Sequence, residues 1–138
     1  MKNMNSLAHI EINVSNLERS KDFYLMVLAP LGWELTIDND EFVGFKGEDN
    51  THLFLVQTDE SYVSNGFHRK QVGLNHLAFR VESKQAVDEF ADLLRNNYIE
   101  TLYTEGPKDY CQEYHMEHYY AVFFEDPDRI KLEVVFMK

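Results

Sequence analysis

Cysteine is nearly absent from this chain of 138 residues, in which Cys111 is the only one. An intramolecular disulfide is therefore excluded, and an oxidising compartment offers the chain no advantage, so it reads as cytoplasmic. Positive charge is also scarce: 13 Lys and Arg stand against 24 Asp and Glu, for a formal net charge of −11. A surface that holds nucleic acid normally carries a basic patch to neutralise phosphates, so no nucleic-acid partner is expected. Long apolar runs are missing as well. None reaches the about 18 residues that a membrane span needs, and the segment Met1 to Ser6 is polar with no export signal, so no membrane partner is expected.

What is present is a repeat. The stretches Leu7-Ala8-His9-Ile10-Glu11-Ile12-Asn13-Val14 and Leu74-Asn75-His76-Leu77-Ala78-Phe79-Arg80-Val81 read as two copies of one element, with a histidine at the same place in each. Phe23 follows His9 at the same distance, 14 residues, as Phe90 follows His76. Two matched pairs in one register support a duplicated unit. Paired half-domains create a cleft, and equivalent strands from each half can aim side chains at one point. At 44% hydrophobic and 14% aromatic, the chain has enough apolar material for one globular domain over 1–138.

Residues 7–14 alternate in period two, with Ala8, Ile10, Ile12 and Val14 on one face and Leu7, His9, Glu11 and Asn13 on the other. Ser15-Asn16-Leu17-Glu18 fits a capping box between Ser15 and Glu18, opening a helix from Leu17 to Leu28 with Leu17, Phe23, Tyr24, Val27 and Leu28 as its buried stripe. Pro30 and Gly32 end it. Strands are expected over 33–37, 41–46 and 52–57, separated by the turns Asp38-Asn39-Asp40 and Gly47-Glu48-Asp49-Asn50. The first half is thus βαβββ, about 6–58, followed by a linker of about 59–73. The second half, about 74–138, repeats it: a strand over 74–81, a helix capped by Ser83 with Val87, Phe90, Ala91 and Leu94 inward, and strands near 100–104, 119–125 and 130–137. The stretch 105–118 reads as a long loop, dense in reactive and aromatic side chains.

The last strand alternates Ile130, Leu132, Val134 and Phe136 against Lys131, Glu133, Val135 and Met137, which leaves an acid in an otherwise apolar strand. A carboxylate there must reach solvent, pair with a cation or bind a metal. His9, His76 and Glu133 share the polar phases of three strands. Two neutral imidazoles and one carboxylate form a facial set for one divalent ion, Zn, Ni, Mn or Fe, with open positions for water or substrate. Glu11, on the His9 face, is a candidate general base or a partner to a ligand, against the plainer reading of an exposed strand carboxylate. His68 and Arg69 are candidates to hold an anionic substrate, and Tyr114, His115, His118, Tyr119 and Tyr120 to line or cover the pocket; aromatic packing over a loop is the alternative for the latter group. Cys111, His115 and His118 share one face only if a helix forms there, which Gly106-Pro107 and the crowded tyrosines argue against.

Three motifs carry a resemblance: His9-Ile10-Glu11-Ile12 with Phe23-Tyr24, Gly73-Leu74-Asn75-His76-Leu77-Ala78-Phe79, and Phe124-Glu125-Asp126-Pro127-Asp128-Arg129-Ile130-Lys131-Leu132-Glu133. With them the chain resembles the vicinal oxygen chelate superfamily, which includes glyoxalase I, extradiol dioxygenases, and fosfomycin- and bleomycin-resistance proteins. The resemblance implies an α+β fold of two tandem βαβββ modules whose eight strands form a curled mixed sheet around a central cleft. It also implies a divalent metal held by His9, His76 and Glu133, and a small-molecule substrate chelating it through vicinal oxygens. Homodimers are common among small members.

Two positions depart from the pattern. Aligning Asn50-Thr51-His52-Leu53-Phe54 with Arg129-Ile130-Lys131-Leu132-Glu133 puts Phe54 where glyoxalase I has a fourth ligand, so Phe54 is read as lining the substrate site. Arg129 stands where the family usually has a turn glycine, at a cost of roughly 1–2 kcal/mol if φ is positive. The leading expectation is a glyoxalase-like lyase or isomerase. An Fe(II) extradiol dioxygenase is the alternative among enzymes, and a metal-free sequestering protein of the bleomycin-resistance type the alternative outside them.

Overall fold

In the computed structural model residues 7–138 are described; Met1 to Ser6, read above as polar and without an export signal, lie outside the described residues. The chain divides into two units, Met1–Gly66 and Phe67–Lys138, and the division falls within the expected linker.

Unit 1 begins with β1 (His9–Val14), whose alternation buries Ile12 and Val14 and leaves His9, Glu11 and Asn13 exposed. Helix α1 (Leu17–Leu28) has the expected bounds, but its cap is Asn16, whose side chain accepts from the Arg19 N–H. Ser15 instead accepts from the Arg19 guanidinium through its hydroxyl. The shift follows from geometry: a cap must sit one residue before the first helical residue to reach the third N–H. The buried stripe is Leu17, Ser20, Tyr24, Val27 and Leu28, with Phe23 half-buried. Gly32, at φ 84°, turns the chain into β2 (Glu34–Asp38), followed by β3 (Phe42–Lys46) and β4 (His52–Gln57). The sheet order is β1-β4-β3-β2, parallel only at β1 and β4. Gln57 joins sheet to helix: its Oε1 accepts from the Leu17 N–H at 2.9 Å and its Nε2 donates to Ser15 O at 3.0 Å. A short helix, α2 (Glu60–Val63), follows.

Unit 2 repeats the order. Strand β5 (Leu77–Arg80) is shorter than the 74–81 expected, so His76 stands immediately before it. Helix α3 (Lys84–Asn96) is capped by Ser83, whose hydroxyl accepts from the Ala86 N–H, and buries Val87, Phe90, Ala91 and Leu94 as the spacing predicts. The strand expected near 100–104 does not form, apart from a single bridge between Thr101 and Phe124. Tyr103 and Gly106 adopt positive φ, and Thr101 Oγ1 donates to Thr104 O while accepting from the Gly106 N–H, which folds the segment into a turn. The edge strand β6 is Lys108–Asp109 instead, followed by helix α4 (Cys111–Tyr114), so the stretch expected as one loop carries both elements. Strands β7 (Tyr119–Glu125) and β8 (Lys131–Met137) complete a sheet of order β5-β8-β7-β6, parallel only at β5 and β8.

The turn from β7 to β8 explains its own sequence. The buried Asp126 carboxylate accepts from the N–H groups of Asp128 and Ile130, both at 2.8 Å, and Arg129 takes φ 67°. The turn thus keeps the shape that favours glycine, and the chain carries the cost of a side chain there. Helix α3 packs on one face of this sheet, with Phe90 and Phe124 rings 5.5 Å apart and Leu132 and Val134 fully buried. Each such side chain contributes roughly 1.5–3 kcal/mol on leaving water. No helix among the described residues is long and apolar enough to cross a membrane.

Candidate functional site

Period two on β7 and β8 divides the side chains of unit 2 between two faces. Tyr120, Val122, Phe124, Leu132 and Val134 go to the α3 side, where the Tyr120 hydroxyl donates to Asp88 Oδ1 at 2.6 Å. Tyr119, Ala121, Phe123, Lys131, Glu133 and Val135 occupy the other face, and Tyr103, Tyr110 and Tyr114 of the 101–118 segment lie over it. The Tyr103 and Tyr110 rings meet Phe123 edge-on at 5.5 and 5.4 Å, and Tyr114 lies 4.6 Å from Tyr119. Glu133 is thereby removed from water altogether, at 0% exposure.

A carboxylate so buried needs partners. One is Tyr119, whose hydroxyl donates to Glu133 Oε1 at 2.5 Å. Burial, with this bond and the carboxylate charge behind it, pushes the Tyr119 phenol well above its ordinary range. Burial, then the charge of Glu133, raises Tyr114 as well. The other oxygen, Oε2, lies 3.0 Å from His76 Nε2 and has no hydrogen-bond partner. His76 Nδ1 is 2.6 Å from Asn75 Oδ1, an acceptor, which puts the ring proton on Nδ1. Nε2 then presents its lone pair beside a carboxylate oxygen. Two acceptors this close require a positive charge between or beside them, from a proton or a metal ion. The donor set, one imidazole nitrogen oriented through its second nitrogen and one buried carboxylate oxygen, fits a divalent ion. Within either unit taken alone, among the described residues, no three His, Cys, Asp or Glu side chains gather into a ligand cluster.

In unit 1, His9 opens β1 and is exposed, with its ring edge-on to Phe54 at 5.6 Å. His52 stacks on the same Phe54 ring, with centroids 5.8 Å apart and an interplanar angle of 5°. Gly44, opposite Phe54 on β3, makes room: a Cβ there would come 2.8 Å from the Phe54 ring. The strand registers of the two units agree. Glu11, two residues after His9, pairs with Phe54, and Ala78, two residues after His76, pairs with Glu133. Phe54 therefore occupies in unit 1 the position that Glu133 occupies in unit 2, and Glu11 stands exposed on the His9 face beside it.

The remaining candidates scatter. Tyr114 belongs to the aromatic cover over the Glu133 face, whereas Tyr120 lies on the opposite face against α3. The hydrogen bond to Asp88 raises the Tyr120 phenol to about 12. His115 is exposed and ends α4 with φ 53°, so Cys111, His115 and His118 do not share a helix face. His118 stands against the Phe136 ring at 6.2 Å. His68 is exposed and caps the Lys70 N–H, while Arg69 is tied to Glu125 at 2.9 Å. Cys111 closes its own loop, with its sulfur accepting from the Tyr119 N–H at 3.2 Å. The sequence reading leaves out Asn75 and Lys131, although the alternation on β8 already places Lys131 on the face of Glu133.

A βαβββ unit used twice, with a histidine opening the first strand of one copy and immediately preceding that of the other, defines a two-module α+β protein. The chain belongs to the Glyoxalase/Bleomycin resistance protein/Dioxygenase superfamily, whose family model matches residues 6–134. It is 39% identical over 127 residues to the uncharacterized protein YqjT of Bacillus subtilis (strain 168), covering 92% of this chain and 95% of that protein. The crystal structure of a putative glyoxalase from Bacillus halodurans is similar at 37% identity and a TM-score of 0.83, covering 96% of both chains. Lactoylglutathione lyase from Agrobacterium tumefaciens shares the fold at 21% identity and a TM-score of 0.64, over 98% of this chain and 96% of that one.

Proposed function

We propose that the protein is a metal-dependent enzyme of lyase or isomerase type, acting on a small substrate with two adjacent oxygens. What carries the reading is the Glu133 carboxylate, fully buried, with Oε2 lacking a hydrogen bond 3.0 Å from His76 Nε2. In this proposal His76, Glu133 and His9 hold one divalent ion, His9 being included on the strength of the sequence repeat. When bound, such an ion supplies Lewis-acid polarisation of the substrate oxygens. The protein does the rest. Asn75 sets the tautomer of His76, Tyr119 holds the Glu133 carboxylate, and the tyrosines over this face keep water from it. Glu11, an exposed carboxylate, is the proposed base that takes a proton from the carbon beside the substrate carbonyl. The same residues suit an extradiol dioxygenase if the ion is iron. A homodimer is the proposed assembly, on family precedent alone.

The test is elemental analysis of protein purified without a metal-binding tag, comparing wild type with His76→Ala and Glu133→Ala. About one equivalent of Zn, Ni, Mn or Fe in the wild type, lost from both variants, is the expected outcome. A wild type that is metal-free and takes up no added divalent ion overturns the enzyme reading and favours a sequestering protein of the bleomycin-resistance type.

A further inference from the structure

Lys131 is a charged side chain in the wrong place for a surface residue. It is only 8% exposed, on the same strand face as Glu133 and two positions away, a displacement of about 6–7 Å. The strand register puts Glu125 directly opposite, where an ion pair would be the ordinary solution. Glu125 does not provide it. Its Oε2 is held by Arg69 at 2.9 Å and by Arg129 at 3.3 Å. Among the described residues the Lys131 ammonium is left with two aromatic faces, Phe123 at 4.5 Å and Tyr103 at 4.8 Å from the ring centroids. Contacts of this kind offset only part of the cost of withdrawing an ammonium from water.

A buried cation without a counter-ion, aligned on one face with the His76 and Glu133 donors, is arranged to receive an anion. We infer that Lys131 binds an oxyanion, a carboxylate or phosphate group, carried by the substrate at the end away from His76 and Glu133. The inference rests on the proposed function for which end of the substrate reacts. It narrows the substrate to a small anionic compound and makes Lys131 a specificity-determining residue. Phe123 and Tyr103 fix the position of its ammonium, and its neighbour Glu133 makes no ion pair with it, its carboxylate oxygens meeting Tyr119 and His76 instead.

The experiment titrates metal-stripped protein with oxalate, with inorganic phosphate and with oxamide, the neutral isostere of oxalate, following binding by NMR. Wild type, Lys131→Met and Lys131→Arg are compared, and the melting temperature of each is recorded. Wild type is expected to bind oxalate or phosphate but not oxamide, and the preference between the two anions tells carboxylate from phosphate. Lys131→Met should weaken binding at least about tenfold, as expected for losing one charge-assisted hydrogen bond, with its melting temperature unchanged or raised. Lys131→Arg should restore most of the affinity. Equal anion binding by wild type and Lys131→Met overturns the inference, as does oxamide binding as well as oxalate. A fall in the melting temperature of Lys131→Met with anion binding intact identifies a packing role and also overturns it. Because the protein is metal-free, these outcomes stand apart from metal content measured on the same preparations, where a metal-free wild type would fail the proposed function alone.

Discussion

The Tyr119 hydroxyl and Glu133 Oε1 meet at 2.5 Å, and this bond decides which carboxylate oxygen faces His76. Tyr119→Phe removes the donor and leaves Oε1 buried without a partner. The expected result is a fall in divalent-metal affinity of about 10- to 100-fold, as for other groups that orient a ligand. Metal-free stability should drop by about 1–3 kcal/mol. Competition with a chromogenic chelator measures the first and urea unfolding the second. A variant with unchanged affinity would show that Tyr119 only fills space.

Tyr120, on the opposite face, gives a prediction in pH. Its phenol is raised from an ordinary value near 10 to about 12, chiefly by donating to Asp88, with burial and the Asp88 charge adding to it. The folded state therefore favours the protonated phenol. The stability this contributes is fully present below pH 10 and is lost as pH rises toward 12. Tyr120→Phe should cost stability at pH 8 by an amount that shrinks steadily between pH 10 and 12. Chemical denaturation of both proteins at each pH checks it, since the other alkaline titrations are common to both and cancel. A difference that stays constant across that range would mean that the Tyr120 hydroxyl does not stabilise through Asp88.

Much of this was legible in the chain because the signals are local and periodic. The bounds of α1, the Ser83 cap, the four inward residues of α3 and the strand that carries Glu133 all follow from period and capping chemistry, whereas the burial of Glu133 does not. The equivalence of Phe54 and Glu133 came from aligning the halves, and the matched registers bear it out. The failures lie where structure depends on contacts remote in sequence. Residues 100–104 read as a strand, but Thr101 bonds to Thr104 and Gly106 and wraps the segment into a turn. The Tyr119 to Glu133 bond depends on how β7 and β8 pair, and the isolation of Lys131 depends on Arg69, more than fifty residues away in the chain, holding Glu125.

Glu133→Gln separates the stability of the fold from its capacity to hold an ion. In metal-free protein the wild-type carboxylate is buried with Oε2 3.0 Å from His76 Nε2, and the positive charge this contact needs has to come from a proton instead of an ion. A glutamine at the same place keeps one oxygen to accept from Tyr119 and turns its amide N–H groups toward Nε2. An unfavourable contact becomes a hydrogen bond, and the buried carboxylate charge is gone. At pH 8, where protons compete little with metal, the variant should be more stable than wild type by about 1–3 kcal/mol after chelator treatment. Added divalent ion should reverse the order. Wild type gains about 2.7 kcal/mol when free metal reaches a hundred times its dissociation constant, and the variant gains little or nothing. Urea unfolding curves with and without metal therefore cross between the two proteins. If Glu133→Gln is the less stable of the two in chelator, the carboxylate is already satisfied without an ion, and the case for a metal at His76 and Glu133 fails with it.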